Sequence, residues 1–392
     1  MSEGQELGIV IYGATGYTGK LVAEYMNRQY AGNSAVPWAL AGRSLAKLES
    51  VRDELNLPAE IPLVSADAGE PASIQSMVER AGVVISTVGP YQLYGSELIA
   101  ACAEAGTDYV DLCGEPAWMK EMIEKYSEAA QASGARIVFS CGFDSIPFDL
   151  GVFYLQESAQ KAFGAAASRV RGRVRELKGT WSGGTLASFK TTMAAAAQNP
   201  ELLASLANPF ALTPGFVGAE QPNGMQPKFD KVLDSWVAPF IMATINTKNI
   251  HRSNLLLEHK YGEGFRYDEM LITGSGDQGE AIANAVAQDT SMADDPIQPG
   301  DGPSREERES GCYDLLFVGQ TDDGQSIRVG VTGDMDPGYG STSKMIAESA
   351  MCLFENPGAK GGIFTAAAAM GSALIERLQQ YAGLTFEVEN PE

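Results

Sequence analysis

A short apolar run, Ile9-Val10-Ile11-Tyr12, ends in Gly13, and glycines recur at Gly16 and Gly19. No other feature limits the fold as tightly. An apolar run feeding a glycine-punctuated turn reads as a buried parallel strand passing into a helix. Gly13 permits the turn, Gly16 lets backbone approach a bound pyrophosphate, and Gly19 lets the helix sit close to the strand. Ala14, Thr15, Tyr17 and Thr18 fill the same turn and join the candidate ligand contacts. The helix N-terminus would offer free N–H groups and a positive dipole end to phosphates. Glycine also serves ordinary turns, so a triplet alone is weak evidence. Here strand, glycines, helix and a later basic residue fall in register, which is what a dinucleotide fingerprint requires.

The later residue lies in Ala41-Gly42-Arg43-Ser44, at the end of the second expected strand. NAD sites commonly carry a carboxylate there for the ribose 2′-hydroxyl. This chain carries Arg43 and Ser44, with Lys47 one turn on. A carboxylate would repel a 2′-phosphate, whereas a guanidinium grips it with two hydrogen bonds. NADP is therefore the expected cofactor.

Ligands of open α/β sheets bind at the carboxyl ends of strands, and four more loops fall there. Thr87-Val88-Gly89-Pro90 follows the fourth strand and is expected to face the pyrophosphate and nicotinamide ribose; the alternative is a plain connection. Asp67 follows the third strand and would either accept a bond from the adenine amino group or cap the next helix. Asp111–Glu115 and Cys141–Pro147 follow the fifth and sixth strands. Hydride delivery to an acceptor leaves an anion that needs a proton, and Tyr91, Glu115, Asp144 and Ser145 are the candidate donors. For each of them a capping or structural role competes. Arg169, Arg171, Arg173 and Arg175 alternate along one strand. Anion recognition is open to them, but a solvated face or a partner interface is favoured. Ser182-Gly183-Gly184-Thr185 is a weaker, second anion-binding turn, and His251 reads as structural.

The chain has 392 residues and a formal net charge of −22, which argues against nucleic-acid binding. Its five cysteines are scattered without zinc spacing, as expected of a reduced cytoplasmic protein. The polar, acidic opening residues do not resemble a signal peptide. The apolar run Trp236–Ala243 is too short to span a bilayer and reads as core, although a substrate-pocket wall or an interface would use it too.

Expected strands at 7–12, 36–41, 61–65, 82–87, 108–111 and 136–140 alternate with helices at 17–30, 44–55, 71–80, 93–105 and 116–132. That alternation specifies an α/β fold, a Rossmann doubly wound parallel sheet, over residues 1–150. Residues 151–341 read as a second, α+β domain for substrate and dimerisation. There, 199–230 forms a long excursion and Gly300–Glu309 is the most disorder-prone loop. Residues 342–392 read as a helical segment that returns to the first domain. A homodimer is expected.

Several motifs resemble the saccharopine dehydrogenase-like oxidoreductases. They are Gly13–Gly19, Ala41–Ser44, Val88–Tyr91, Gly106–Glu115 and Gly142–Gly151. Ser182–Thr185 and Gly361–Thr365 bring the chain closest to the trans-acting enoyl reductase branch, with Cys113 standing where that branch has Thr. The resemblance implies an NADP-binding Rossmann domain joined to an α/β domain. It also implies NADPH-dependent reduction of a carbon–carbon double bond in an apolar acyl substrate. Two other functions are carried alongside. A saccharopine-type C=N reductase would gather arginines around the nicotinamide. A non-catalytic NADP-binding scaffold would expose an apolar patch instead of a closed pocket.

Overall fold

The computed structural model describes residues 6–32, 36–180, 183–291, 300–358 and 360–389. Its first layer is a seven-stranded sheet in the order β13-β6-β5-β4-β1-β2-β3. The strands are β1 (Leu7–Tyr12), β2 (Trp38–Gly42), β3 (Leu63–Ser65), β4 (Ala81–Ser86), β5 (Asp108–Asp111), β6 (Arg136–Val138) and β13 (Gly362–Phe364). All of its pairings are parallel. Every residue of β1 is buried, as a strand covered on both faces requires. Helices α1 (Tyr17–Tyr30), α2 (Leu45–Glu54), α3 (Pro71–Arg80), α4 (Tyr91–Tyr94), α5 (Ser96–Ala105) and α6 (Pro116–Ser133) connect the strands. The strand order reverses at β1, with β2 on one side and β4 on the other, so the crevice above β1 and β4 is the topological switch point.

Helix α7 (Ile146–Phe163) leads into a second seven-stranded sheet, ordered β14-β12-β11-β7-β10-β9-β8. Its strands are β7 (Arg169–Lys178), β8 (Lys228–Asp230), β9 (Ser235–Pro239), β10 (Arg266–Gly274), β11 (Cys312–Gln320), β12 (Ser326–Gly333) and β14 (Leu384–Glu389). Only β7 and β10 pair in parallel, which makes this sheet mixed. The remaining helices used below are α8 (Gly183–Gln198), α9 (Pro200–Ala207), α10 (Ala243–Leu256), α11 (Gly276–Gln288), α12 (Arg305–Glu309) and α13 (Thr342–Glu355).

Helix α13 is buried from Thr342 to Leu353 and packs on α1, β4 and β5. A helix covered on all sides must satisfy its polar groups internally. Glu348 does so by accepting bonds from the Tyr25 hydroxyl (2.6 Å) and the Tyr30 hydroxyl (2.5 Å) and by pairing with Arg377 (2.8 Å). The C-terminal segment thus returns to the first domain, but it is not purely helical. It adds β13 to the first sheet and β14 to the second, because each sheet edge offers unpaired backbone that a strand can satisfy.

Two further expectations are corrected. The arginine strand is for the most part not a solvated face. β7 lies in the middle of its sheet, where Arg173 is 1% exposed and binds Asp230 (2.8 Å) and Asp268 (3.2 Å). Arg169 pairs with Asp268, and Arg175 with Asp314 and Glu389. Burial raises the pKa of Asp268, but Arg173, Arg169 and Lys228 overcome this and hold it down at about 2. The second correction is at Gly300–Glu309, which ends in helix α12. There Ser304 and Glu307 form a reciprocal capping box. The core reading of Trp236–Ala243 agrees with the structure, where the run supplies β9. Val237 and Ala238 are fully buried, and Phe240 packs on Phe148 of α7 (5.7 Å), so most of the run is core.

Candidate active site

The glycine turn has the geometry its sequence demands. Gly13 sits at φ +91°, and a Cβ there would lie 2.6 Å from Thr87 Oγ1. A Cβ at Gly19 would lie 2.2 Å from the Gly13 carbonyl, which is why α1 can rest so close to the strand. Gly16 is exposed, occupies the N-cap of α1 and makes no side-chain cap bond. The first amides of α1 are left facing the crevice without a side-chain acceptor, the arrangement an anion requires. Ala14 is fully buried beneath the turn; Thr15, Tyr17 and Thr18 are partly buried. The Thr15 side chain lies 3.9 Å from where a Cβ on Gly42 would be, so the glycine turn borders the end of β2.

At that end Arg43 and Lys47 are exposed, and among the described residues neither enters an ion pair. Ser44 is the N-cap of α2 and accepts the Lys47 amide at 3.4 Å. Asp67 lies nearby and adds to the burial that raises the Tyr12 hydroxyl to about 12. Its carboxylate accepts the Gly69 amide (2.9 Å) and closes a turn, while the N-cap of α3 is Glu70, so Asp67 is not the cap of that helix. The Thr87 hydroxyl bonds the Tyr12 and Gly13 carbonyls at 3.2 and 3.3 Å, which locks the two loops of the switch point together. Val88 and Pro90 are partly buried and Gly89 is exposed.

The four candidate proton donors separate by their bonding. Tyr91 is buried; its hydroxyl donates to the Ser86 carbonyl (3.1 Å) and accepts the Leu112 amide (3.1 Å). Burial, then Asp111, pushes its pKa well up. The Glu115 carboxylate accepts the Tyr91 and Gln92 amides, each at 2.9 Å, and so caps α4. Both groups are taken up in stapling loops. Ser145 stands at the N-cap of α7 without capping it; its hydroxyl accepts Asn249 Nδ2 at 2.9 Å. Asp144 differs from all three. Among the described residues its carboxylate has no hydrogen bond and no ion pair, and burial alone raises its pKa from 3.8 to about 6. A Cβ at Gly114 would be 3.7 Å from Asp144 Oδ2, which places the acid between the ends of β5 and β6.

Sequence reading missed one wall of the crevice. Asp336 accepts the Tyr339 and Gly340 amides at 2.9 and 2.7 Å and so shapes the entry to α13. Tyr339 packs edge-on against Tyr17 (5.3 Å). Arg308 of α12 donates to the Tyr17 hydroxyl at 2.8 Å. The signal was present in Asp336-Pro337-Gly338-Tyr339-Gly340, an Asx cap and proline just before a helix. Ser188 of α8 also reaches the crevice, with its hydroxyl 3.6 Å from where a Cβ on Gly89 would be. Of Ser182–Thr185, Ser182 lies outside the described residues, and α8 begins at Gly183. His251 is buried against Phe210 (4.6 Å), as a structural histidine should be. No group of metal-binding side chains occurs among the described residues, and no described helix is long and apolar enough to cross a membrane.

Comparison with known proteins agrees with this geometry. Residues 9–138 match the saccharopine dehydrogenase NADP-binding domain. A Mycobacterium tuberculosis protein provisionally named a trans-acting enoyl reductase is 39% identical, covering 95% of this chain and 96% of its own. The trans-acting enoyl reductase of Mycobacterium ulcerans is 36% identical over 97% of both chains. Among solved structures, apo saccharopine dehydrogenase (L-glutamate-forming) from Saccharomyces cerevisiae shares the fold, with a TM-score of 0.53 at 12% identity over 98% of this chain and 100% of that one. The unpartnered amides, the bare glycine surface and the free Arg43 fit NADP. The chain therefore belongs to the saccharopine dehydrogenase-like family, among its trans-acting enoyl reductase relatives, and carries the family's NADP-binding domain.

Proposed function

We propose that this protein is an NADPH-dependent oxidoreductase that reduces the carbon–carbon double bond of an apolar enoyl substrate, with Asp144 as proton donor. The observation that carries this reading is the isolation of the Asp144 carboxyl. It lies on the crevice loops and has no partner among the described residues, and its pKa is raised to about 6. An acid of that strength can hold and release a proton near neutral pH. When bound, NADPH would supply the two electrons as hydride, to be taken up at the β-carbon of the enoyl group. Asp144 then delivers a proton to the α-carbon, where the electron pair of the broken π-bond has gone, and recovers it from solvent. Gly13, Ala14, Thr15, Gly16, Tyr17, Thr18 and Gly19 would hold the pyrophosphate. Arg43, Ser44 and Lys47 would receive the 2′-phosphate, with Asp67 on the adenosine side, and Thr87, Val88, Gly89 and Pro90 would border the nicotinamide ribose. Tyr91, Glu115 and Ser145 hold the loops in place.

The saccharopine-type reading is disfavoured by Arg169, Arg173 and Arg175, which are neutralised within their own sheet. The homodimer expected from the sequence belongs to the proposal.

The test is oxidation of NADPH with enoyl thioesters against keto-acid and amine mixtures. Turnover is expected only with the thioesters. Asp144→Asn should lower kcat by about 10²-fold or more, the usual contribution of a general acid, with little change in NADPH affinity. Consumption with keto acid and amine alone would overturn the assignment.

A further inference from the structure

If Asp144 is the donor, the turn that carries it must hold it still, since a catalytic group needs its place fixed to within about 0.5 Å. The turn is gripped on both sides of Asp144 by side chains from beyond residue 150. On one side the Phe143 amide donates to Thr342 Oγ1 at 2.9 Å, and the Thr342 hydroxyl donates onward to the Pro337 carbonyl at 2.8 Å. On the other side Asn249 of α10 donates to the Ser145 hydroxyl at 2.9 Å. All four of these partners are buried: Phe143 5%, Thr342 5%, Ser145 3% and Asn249 2% exposed. The Phe143 ring packs edge-on against Tyr313 of β11 (4.9 Å) and Phe148 of α7 (5.4 Å). Gly142 leaves no slack, because a Cβ there would lie 2.8 Å from Leu112 and 2.9 Å from Thr342. Within the turn, the Ser145 and Ile146 amides both donate to the Gly142 carbonyl at 3.1 and 2.8 Å.

We propose that Thr342 and Asn249 are positioning residues. Each fixes one neighbour of Asp144 and leaves the carboxyl between them free to aim into the crevice, and this rests on Asp144 being the proton donor. Neither side chain touches the carboxyl. They act on it through the backbone of the turn, and they come from two helices far along the chain from it, α10 and α13. Thr342 Oγ1 accepts from one side and donates to the other, so a residue without a hydroxyl leaves both the Phe143 amide and the Pro337 carbonyl without this partner. Among the described residues, the titratable group that feels the Asp144 charge is the Cys113 thiol, which burial keeps protonated.

The variants are Thr342→Val, Thr342→Ser and Asn249→Leu in the full chain. The first readout needs no substrate: the difference in melting temperature between each background and the same background carrying Asp144→Asn, followed against pH, gives the midpoint at which Asp144 ionises. In Thr342→Val and in Asn249→Leu the loosened turn should admit water and lower that midpoint by about one unit. Thr342→Ser should keep it. The second readout is turnover of an enoyl thioester. Thr342→Val and Asn249→Leu should each lose at least tenfold in kcat with unchanged NADPH affinity, and Thr342→Ser should restore the rate. An unchanged Asp144 midpoint in either valine or leucine variant that folds, accompanied only by a lower melting temperature, would overturn the inference. Absence of enoyl turnover in the unmodified protein would defeat the reaction assignment instead, and the midpoint would still decide the positioning role.

Discussion

Gly19→Ala tests the closest contact in the nucleotide site. The added methyl would lie 2.2 Å from the Gly13 carbonyl oxygen and 2.8 Å from Ala14 Cα. Ordinary C···O contacts begin near ~3.3 Å, so roughly 1 Å must be found. The carbonyl cannot simply turn away, because it accepts the Gly16 amide at 2.9 Å and so closes the phosphate-facing turn. Helix α1 must therefore move outward by about the missing distance. Overpacking of this kind costs about 1–3 kcal/mol, and alanine's better helix propensity returns about 1 kcal/mol. The net loss of stability should be only about 0–2 kcal/mol, so the variant should fold. The amides of the first turn of α1 move with the helix. Losing one charge-assisted bond to phosphate is worth about 1.5–3 kcal/mol, or roughly 10- to 100-fold in affinity. Urea melts would give the stability and isothermal titration with NADPH the affinity. Native-like NADPH binding by a folded Gly19→Ala protein would refute the argument that this close approach builds the site.

Arg43→Ala should weaken NADPH binding about tenfold and leave NADH binding unchanged, since only the 2′-phosphate is lost as a partner; equal losses in paired titrations would remove the assignment. Glu348→Ala should destabilise the protein by about 1–3 kcal/mol, measured by chemical denaturation. It removes the buried acceptor of two tyrosine hydroxyls and one of the two carboxylates paired with Arg377, the other being Glu355, and no loss of stability would count against that account. Burial raises Asp144 from 3.8 to about 6, so between those values the folded chain holds a proton that the unfolded chain releases. This contribution lowers stability as pH rises from about 4 to about 6 and leaves it lowered above that. Asp144→Asn should therefore melt above the unmodified protein at pH 7 and converge with it in acid; a constant gap in calorimetry would contradict the raised pKa.

The first sheet was legible because its code is local. Apolar runs buried on both faces, glycines at fixed spacing and helix caps all act within a few residues of one another, and helices α1 and α3 begin and end where the pattern places them. Helix α10 was missed because its Asn246, Lys248, Asn249, His251, Arg252 and Ser253 leave no apolar stripe at helical spacing. They are buried because their partners lie far away in sequence, such as Glu269 for Asn246 and the Leu212 and Ile363 carbonyls for Arg252. Strands β13 and β14 were missed for the same reason, since each is an edge whose pairing is decided by a sheet formed elsewhere.

By itself the sequence determined a glycine turn suited to a phosphate, a guanidinium placed at the end of the second strand, and the group of loops at the strand ends. Those properties depend on backbone freedom and charge at adjacent positions. Only tertiary structure decided which acid is left without a hydrogen-bond partner among the described residues. Tyr91, Glu115 and Ser145 are of suitable chemical type, yet each is bound by a group 5 to 104 residues away. A hydrogen bond made across the fold removes a side chain from chemistry without leaving a trace in its local sequence. Asp144 stands out because no such bond reaches it among the described residues.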